Sequence, residues 1–182
     1  MGFVIGQRDV QRLGGRAATY PVSYIVYLLL REIDAEKVLD VTYGRGRFYY
    51  YKRPKLLVGA DPKVWDWVVA PDIFIPRPVW ALKPVLEAMK IEFDAIVVDP
   101  PLWDPNTHYN KRPEYSFILG TPELIIEKAL ELARELNIPY MLLHYNKTLG
   151  LPIIKDIEFR YVTRYLNNPD HKTTHFTLYK VI

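Results

Sequence analysis

The sequence predicts an α/β fold: a mostly parallel sheet with helices on both faces, closed by a C-terminal antiparallel hairpin. Three observations lead there. Short apolar runs of strand length alternate with segments of helical periodicity, the pattern of a parallel sheet wrapped by its crossover helices. Most of those runs stop at a carboxylate, and ligands bind such sheets at the carboxyl ends of their strands. The last segments alternate apolar and polar residues around the turn-like Asn167-Asn168-Pro169-Asp170, which indicates a hairpin.

The totals agree with one domain. At 182 residues, 49% of them hydrophobic, the chain can bury one sheet with its helices. A formal charge of +3, from 24 basic against 21 acidic side chains, permits nucleic acid as a partner without demanding it. With no Cys and only four scattered His, neither a disulfide framework nor a structural metal is expected. The first residues lack the apolar core of a signal peptide, and no stretch approaches the roughly 20 apolar residues that span a bilayer. The expected location is cytoplasmic, with no membrane partner. Residues 1–20 read as a basic lead, carrying Arg8, Arg12 and Arg16 against Asp9, and residues 21–182 as a single domain.

Taken in order, Pro21 opens a helix over Val22 to Glu32, since proline suits the first helical turn. Lys37 to Val41 is a short buried strand ending at a glycine turn, and Leu56 to Ala60 is the next, ending at Asp61. Trp67 to Ala70 reads as a third strand leading to Asp72, and Asp94 to Val98 as a fourth ending at Asp99. Thr121 to Leu136 has a Thr cap, Pro at the first position and apolar residues at helical spacing. Pro139 to Tyr145 is the following strand. Ile157 to Leu166 and Thr173 to Ile182 form the hairpin.

Three groups carry chemistry. In Asp40-Val41-Thr42-Tyr43-Gly44-Arg45-Gly46 the glycines permit a tight turn and close approach of a ligand to the backbone. A dinucleotide site would want a third glycine where Tyr49 stands. The plain alternative is a turn that needs glycine for geometry alone. Asp61, 21 residues after Asp40, stands where a carboxylate can accept both ribose hydroxyls of a nucleoside. Asp72, beside Ile73 and Phe74, can hold the amino group of an adenine ring between apolar neighbours, or simply cap a loop. In Asp99-Pro100-Pro101 two prolines remove two backbone donors, leaving the carboxylate and carbonyls as acceptors. Acceptors suit a substrate that offers an NH2 group.

The ordered set Asp40/Gly44/Gly46, Asp61, Asp72 and Asp99-Pro100-Pro101 resembles the class I, Rossmann-like S-adenosylmethionine-dependent methyltransferases that modify amino groups. The resemblance covers nearly the whole chain. It implies a seven-stranded sheet of order 3-2-1-4-5-7-6 and S-adenosylmethionine as cofactor. It also implies that Asp40, Thr42, Gly44, Gly46, Asp61, Pro62, Asp72 and Ile73 bind that cofactor. Asp99, with the Pro100 carbonyl, Pro101 and Trp103, would form the catalytic loop that holds the target amine. One departure is clear: the residue after the second proline is usually aromatic in that family, whereas here Leu102 precedes Trp103.

The expected reaction is methyl transfer to an exocyclic amino group of a nucleic-acid base, RNA or DNA, presented unpaired or flipped out. Two segments favour that substrate. Tyr43 to Lys55 (YGRGRFYYYKRPK) mixes basic and aromatic residues with no acid, a composition that neutralises phosphates and stacks bases. As the helix after the glycine turn, it can equally be core aromatics with a solvated charged face. The loop after Trp103 adds His108, Lys111 and Arg112, with Leu102 just before it, as substrate-binding candidates near the mouth of the site. Specificity is expected from the lead, from that loop, or from a protein partner. The competing readings are a protein-glutamine or small-molecule N-methyltransferase, and an inactive methyltransferase-like RNA-binding or scaffold subunit. None of the four His has a spacing that assigns it a chemical role.

Overall fold

In the computed structural model the described residues are 2–101, 121–165 and 167–182. The described residues form an α/β fold with eight strands in one mixed sheet, not the mostly parallel seven that the sequence suggests. The strands are β1 (Gly2–Gly6), β2 (Lys37–Asp40), β3 (Leu56–Ala60), β4 (Ile73–Ile75), β5 (Ala95–Val98), β6 (Tyr140–His144), β7 (Ile153–Tyr165) and β8 (Asn168–Lys180). They lie in the order β1-β7-β8-β6-β5-β2-β3-β4. From β6 to β4 all neighbours are parallel, β8 is antiparallel to both β6 and β7, and β1 is parallel to β7. With β1 set aside, the other seven strands run β7-β8-β6-β5-β2-β3-β4.

The extra strand comes from the supposed lead. Residues 2–6 pair with Asp156 to Arg160 along β7, and two short helices, α1 (Gln7–Gln11) and α2 (Gly15–Thr19), follow. A 13-residue β7 offers a long open edge, and Phe3-Val4-Ile5 has the β-branched and aromatic character to cover it.

The sheet is covered on both faces because β-strand side chains alternate. Leu39, Val58, Ile96, Val98 and Met141 meet Ile125, Ala129 and Leu132 of α5 (Pro122–Glu135) in one cluster. Val38, Leu57, Ala95, Val97 and Leu142 meet Ile25, Val26 and Leu29 of α3 (Pro21–Glu32) in the other. The four residues of β5 are all fully buried, as a central parallel strand requires. Pro21 opens α3 at its first position. Thr121 caps α5, its hydroxyl accepting from Leu124 N at 3.2 Å. A short α4 (Lys83–Met89) lies between β4 and β5.

Three local expectations need correction. The third strand is Ile73–Ile75, not Trp67 to Ala70. The backbone groups of the earlier run are engaged elsewhere. Val68 N donates to Arg45 O, Val69 O accepts from the Tyr43 hydroxyl, and Ala70 O accepts from Arg53. Pro71 has no N–H to give a ladder. Next, the segment after the glycine turn forms only a single 3-10 turn, Arg47–Tyr49, rather than a helix. Gly46 is left-handed at φ 72, and Pro54 follows too soon for a helix to propagate. Finally, the hairpin is longer and tighter than expected. Tyr165 pairs with Asn168, so Asn168, Pro169 and Asp170 belong to β8, while Asn167 takes the positive φ of 67. No helix among the described residues is long and apolar enough to cross a membrane.

Candidate functional site

Because β2 to β6 run parallel, their carboxyl ends share one edge of the sheet. Asp40 ends β2, Asp61 follows β3, Asp99 follows β5 and His144 ends β6. These four side chains and the glycine turn form one connected group.

Asp40 is at its base. Its carboxylate is 2% exposed and accepts from Thr42 N (2.9 Å), Thr42 Oγ1 (3.3 Å) and the Tyr49 hydroxyl (2.6 Å). Burial pushes the Asp40 carboxyl up to about 7, opposed by the Tyr49 and Thr42 hydrogen bonds, with the Asp99 charge adding to the rise. Burial likewise raises the Tyr49 phenol well above its usual range. Thr42 links this base to the catalytic candidate, since its Oγ1 accepts from Asp99 N at 2.7 Å.

The two glycines of the turn serve different ends. Both have positive φ, 54 at Gly44 and 72 at Gly46. A Cβ on Gly46 would strike Val69 O and the Tyr43 ring, whereas one on Gly44 would meet nothing nearer than 3.9 Å. Gly46 is therefore glycine for the chain's own packing, and Gly44 is the residue that leaves its outer side open. Gly59 makes room for the same buried Tyr43 ring, whose hydroxyl donates to Val69 O at 2.7 Å.

Asp61 is 7% exposed and already well engaged. Oδ2 accepts from Gly44 N (3.1 Å), and Oδ1 accepts from Lys63 N (2.9 Å) and Trp65 Nε1 (3.3 Å). Burial raises its carboxyl above the ordinary range, opposed by the Lys63 and Gly44 N–H groups. A carboxylate offers about four acceptor positions. Asp61 therefore has capacity for one further donor, not for two ribose hydroxyls without exchanging a protein partner. Pro62, half-buried, follows it directly.

Asp99 is the open member, its side chain 39% exposed. Oδ1 lies 2.8 Å from His144 Nδ1, and among the described residues Oδ2 has no partner. His144 Nε2 lies 2.6 Å from Thr174 Oγ1, and the imidazole stacks on Phe176 with centroids 4.1 Å apart and planes within 2°. With Asp99 Oδ1 as the acceptor, Nδ1 is the donor of this bond. The ring is thereby fixed on both nitrogens and on one face. Pro100 is buried and Pro101 half-buried behind Asp99.

His144 is the residue the sequence reading missed. It and Asp99 each stand one place beyond the last paired residues of adjacent strands, Val98 and Leu143, a relation that only the strand pairing brings out. Asp72 and Ile73 do not join the group. They stand at the amino end of β4, with Ile73 opposite Val58, at the other edge of the sheet. The Asp72 carboxylate serves the fold: Oδ2 accepts from Leu57 N (2.8 Å) and Oδ1 from Arg53 Nη1 (3.0 Å). Desolvation works against ionisation there, but these two bonds hold the carboxyl below its usual range. Leu102, Trp103, His108, Lys111 and Arg112 lie outside the described residues.

Compared with known proteins, the chain matches no family model and no curated protein sequence.

Proposed function

We propose that the chain is an S-adenosylmethionine-dependent N-methyltransferase acting on an exocyclic amino group of a nucleic-acid base. The observation that carries this reading is the gathering of Asp40, Asp61 and Asp99 around the open Gly44 at one carboxyl edge, with Asp99 half-buried and clamped by His144. We read the seven-strand succession as the Rossmann-like methyltransferase order 3-2-1-4-5-7-6, with β1 added at its edge.

The residues suit the cofactor. Gly44 leaves room for a ligand against the backbone, Asp61 retains one acceptor position for a ribose hydroxyl, and the Asp61 and Asp99 carboxylates make the edge attractive to a sulfonium cation. When bound, the cofactor supplies an electrophilic methyl group. The chain's part is to hold the amine. Asp99 Oδ2 accepts one N–H and the Pro100 carbonyl the other, orienting the nitrogen lone pair. His144 keeps Oδ1 occupied, so that Oδ2 faces the substrate and can take the proton the nitrogen sheds. Asp72 and Ile73 have no part in this arrangement.

One observation favours a different reading, a noncatalytic RNA-binding or scaffold subunit: three protein donors already fill most of the Asp61 carboxylate. The two readings part in a single assay. The chain is incubated with methyl-labelled S-adenosylmethionine and, separately, single-stranded RNA, single-stranded DNA and protein, followed by digestion and mass analysis. An N-methylated nucleoside that is absent with Asp99→Ala supports the proposal. Label in protein alone overturns the substrate, and no label in any acceptor overturns the activity.

A further inference from the structure

We propose that a basic, tyrosine-lined strip on the outer face of α3 binds single-stranded RNA. Arg16, Arg31, Arg47 and Lys52 are exposed, and each lies over a tyrosine ring. Arg47 is 5.6 Å from the Tyr20 centroid, Arg16 5.5 Å from Tyr50, Arg31 5.4 Å and Lys52 5.7 Å from Tyr27. None of the four forms an ion pair among the described residues, in contrast to Arg53, Lys55 and Lys155, which are paired with carboxylates. Four uncompensated cations on one face are what a phosphate backbone complements.

The rings add a second kind of contact. Tyr20 and Tyr50 meet edge to face at 4.8 Å, and Tyr24, Tyr27 and Tyr51 pack together at 4.9 to 6.1 Å. All five are half-buried, so they are held rigidly, and among the described residues none of their hydroxyls bonds to protein. A phenol hydroxyl both donates and accepts. It can therefore serve a phosphate oxygen or a ribose 2′-hydroxyl, the group that separates RNA from DNA.

Position supports the assignment. The strip starts at the carboxyl edge, where Phe48, next to Arg47, touches the His144 ring at 6.1 Å. From Tyr20 to Arg31 it follows α3 for about 16 Å, enough for a few nucleotides. It ends at a hollow of about 260 Å³ lined by Arg31, Lys52, Arg53 and Lys55 against Asp34 and Glu36. The larger groove between α1 and the hairpin, about 780 Å³, offers Arg8 as its one arginine or lysine without an ion pair among the described residues. There Arg160 is held by Glu158 and Lys172 by Asp170.

This inference shares the nucleic-acid partner of the reading above but needs no methyl transfer. The test is fluorescence anisotropy of a labelled 12-nucleotide oligo(U) with the full chain, from 50 to 200 mM salt, against oligo(dU). The variants are Arg31→Ala/Lys52→Ala and the milder Arg31→Gln/Lys52→Gln, each checked for unchanged circular dichroism. Expected are at least a tenfold loss of affinity in both variants, a salt slope shallower by about 1.4 for two lost phosphate contacts, and weaker binding of oligo(dU). Undiminished affinity in both folded variants would overturn the strip as the site. Equal or tighter DNA binding would overturn RNA as its occupant. RNA binding without S-adenosylmethionine binding contradicts only the methyltransferase reading, and the reverse result only this one.

Discussion

Replacing Asp40 by Asn should make the protein more stable in neutral solution, and the gain should vanish in acid. The Asp40 carboxyl is pushed from 3.8 to about 7 by burial, so the folded state holds a proton that the unfolded chain releases. A group raised on folding contributes stability that is full below its unfolded value and is lost as pH rises through its folded value. The window is therefore about pH 4 to 7. With each unit worth about 1.4 kcal/mol, wild type should lose about 3 kcal/mol relative to Asp40→Asn between pH 4.5 and 8. Asn is nearly isosteric with the protonated acid. Its oxygen can accept from Thr42 N, and its NH2 can donate to the Tyr49 oxygen, which is 2.6 Å from Asp40 Oδ2 in wild type. Urea unfolding of both proteins at pH 4.5, 6 and 8 measures the difference, other titrating groups cancelling between them. A stability difference that is constant with pH, or that moves in favour of wild type as pH rises, would refute the reasoning.

Other outcomes follow from the same geometry. Gly46→Ala should destabilise by about 2–4 kcal/mol, because a Cβ there meets Val69 O and Tyr43 at a φ of 72. Gly44→Ala should cost only the left-handed backbone penalty of about 1–2 kcal/mol, and urea midpoints will separate the two. His144→Gln should lower kcat for methyl transfer roughly 100-fold through a displaced Asp99. It should leave cofactor affinity unchanged and alter the pH profile of kcat, which loss of packing alone would not do. Asp99→Ala should abolish transfer yet bind cofactor normally by calorimetry.

Much of the sheet was legible because its signals are local. β5 is an unbroken apolar run, α5 has its Thr cap and proline, and the hairpin alternates over many residues. What escaped was decided at a distance. Trp67 to Ala70 is as apolar as a strand, but Arg45 O, Tyr43 and Arg53 take its backbone groups. Phe3 to Ile5 is too short to declare itself without the β7 edge it covers. Asp40, Asp61 and Asp99 fall at one edge because each ends or follows a strand, whereas Asp72 precedes one and so falls at the opposite edge. His144 carries no spacing of its own. Its meaning comes from Asp99, 45 residues earlier, through the β5 and β6 pairing. The basic and aromatic run after the glycine turn divided in a way no pattern shows, with Tyr43 and Tyr49 entering the core and Tyr50 and Tyr51 facing α3.

The central claim is a nucleoside-sulfonium site at the carboxyl edge, and titration calorimetry of the full chain with S-adenosylmethionine and S-adenosylhomocysteine tests it most directly. Asp61→Asn is the companion variant: it removes the charge and keeps one oxygen, which can accept either from Gly44 N or from Lys63 N and Trp65 Nε1, so its circular dichroism is checked against wild type. The expected result is micromolar binding of both ligands, weakened at least tenfold in the variant. Heat-silent wild type for both ligands, confirmed by the absence of any shift in Tm, would contradict the cofactor site and leave the noncatalytic reading in its place.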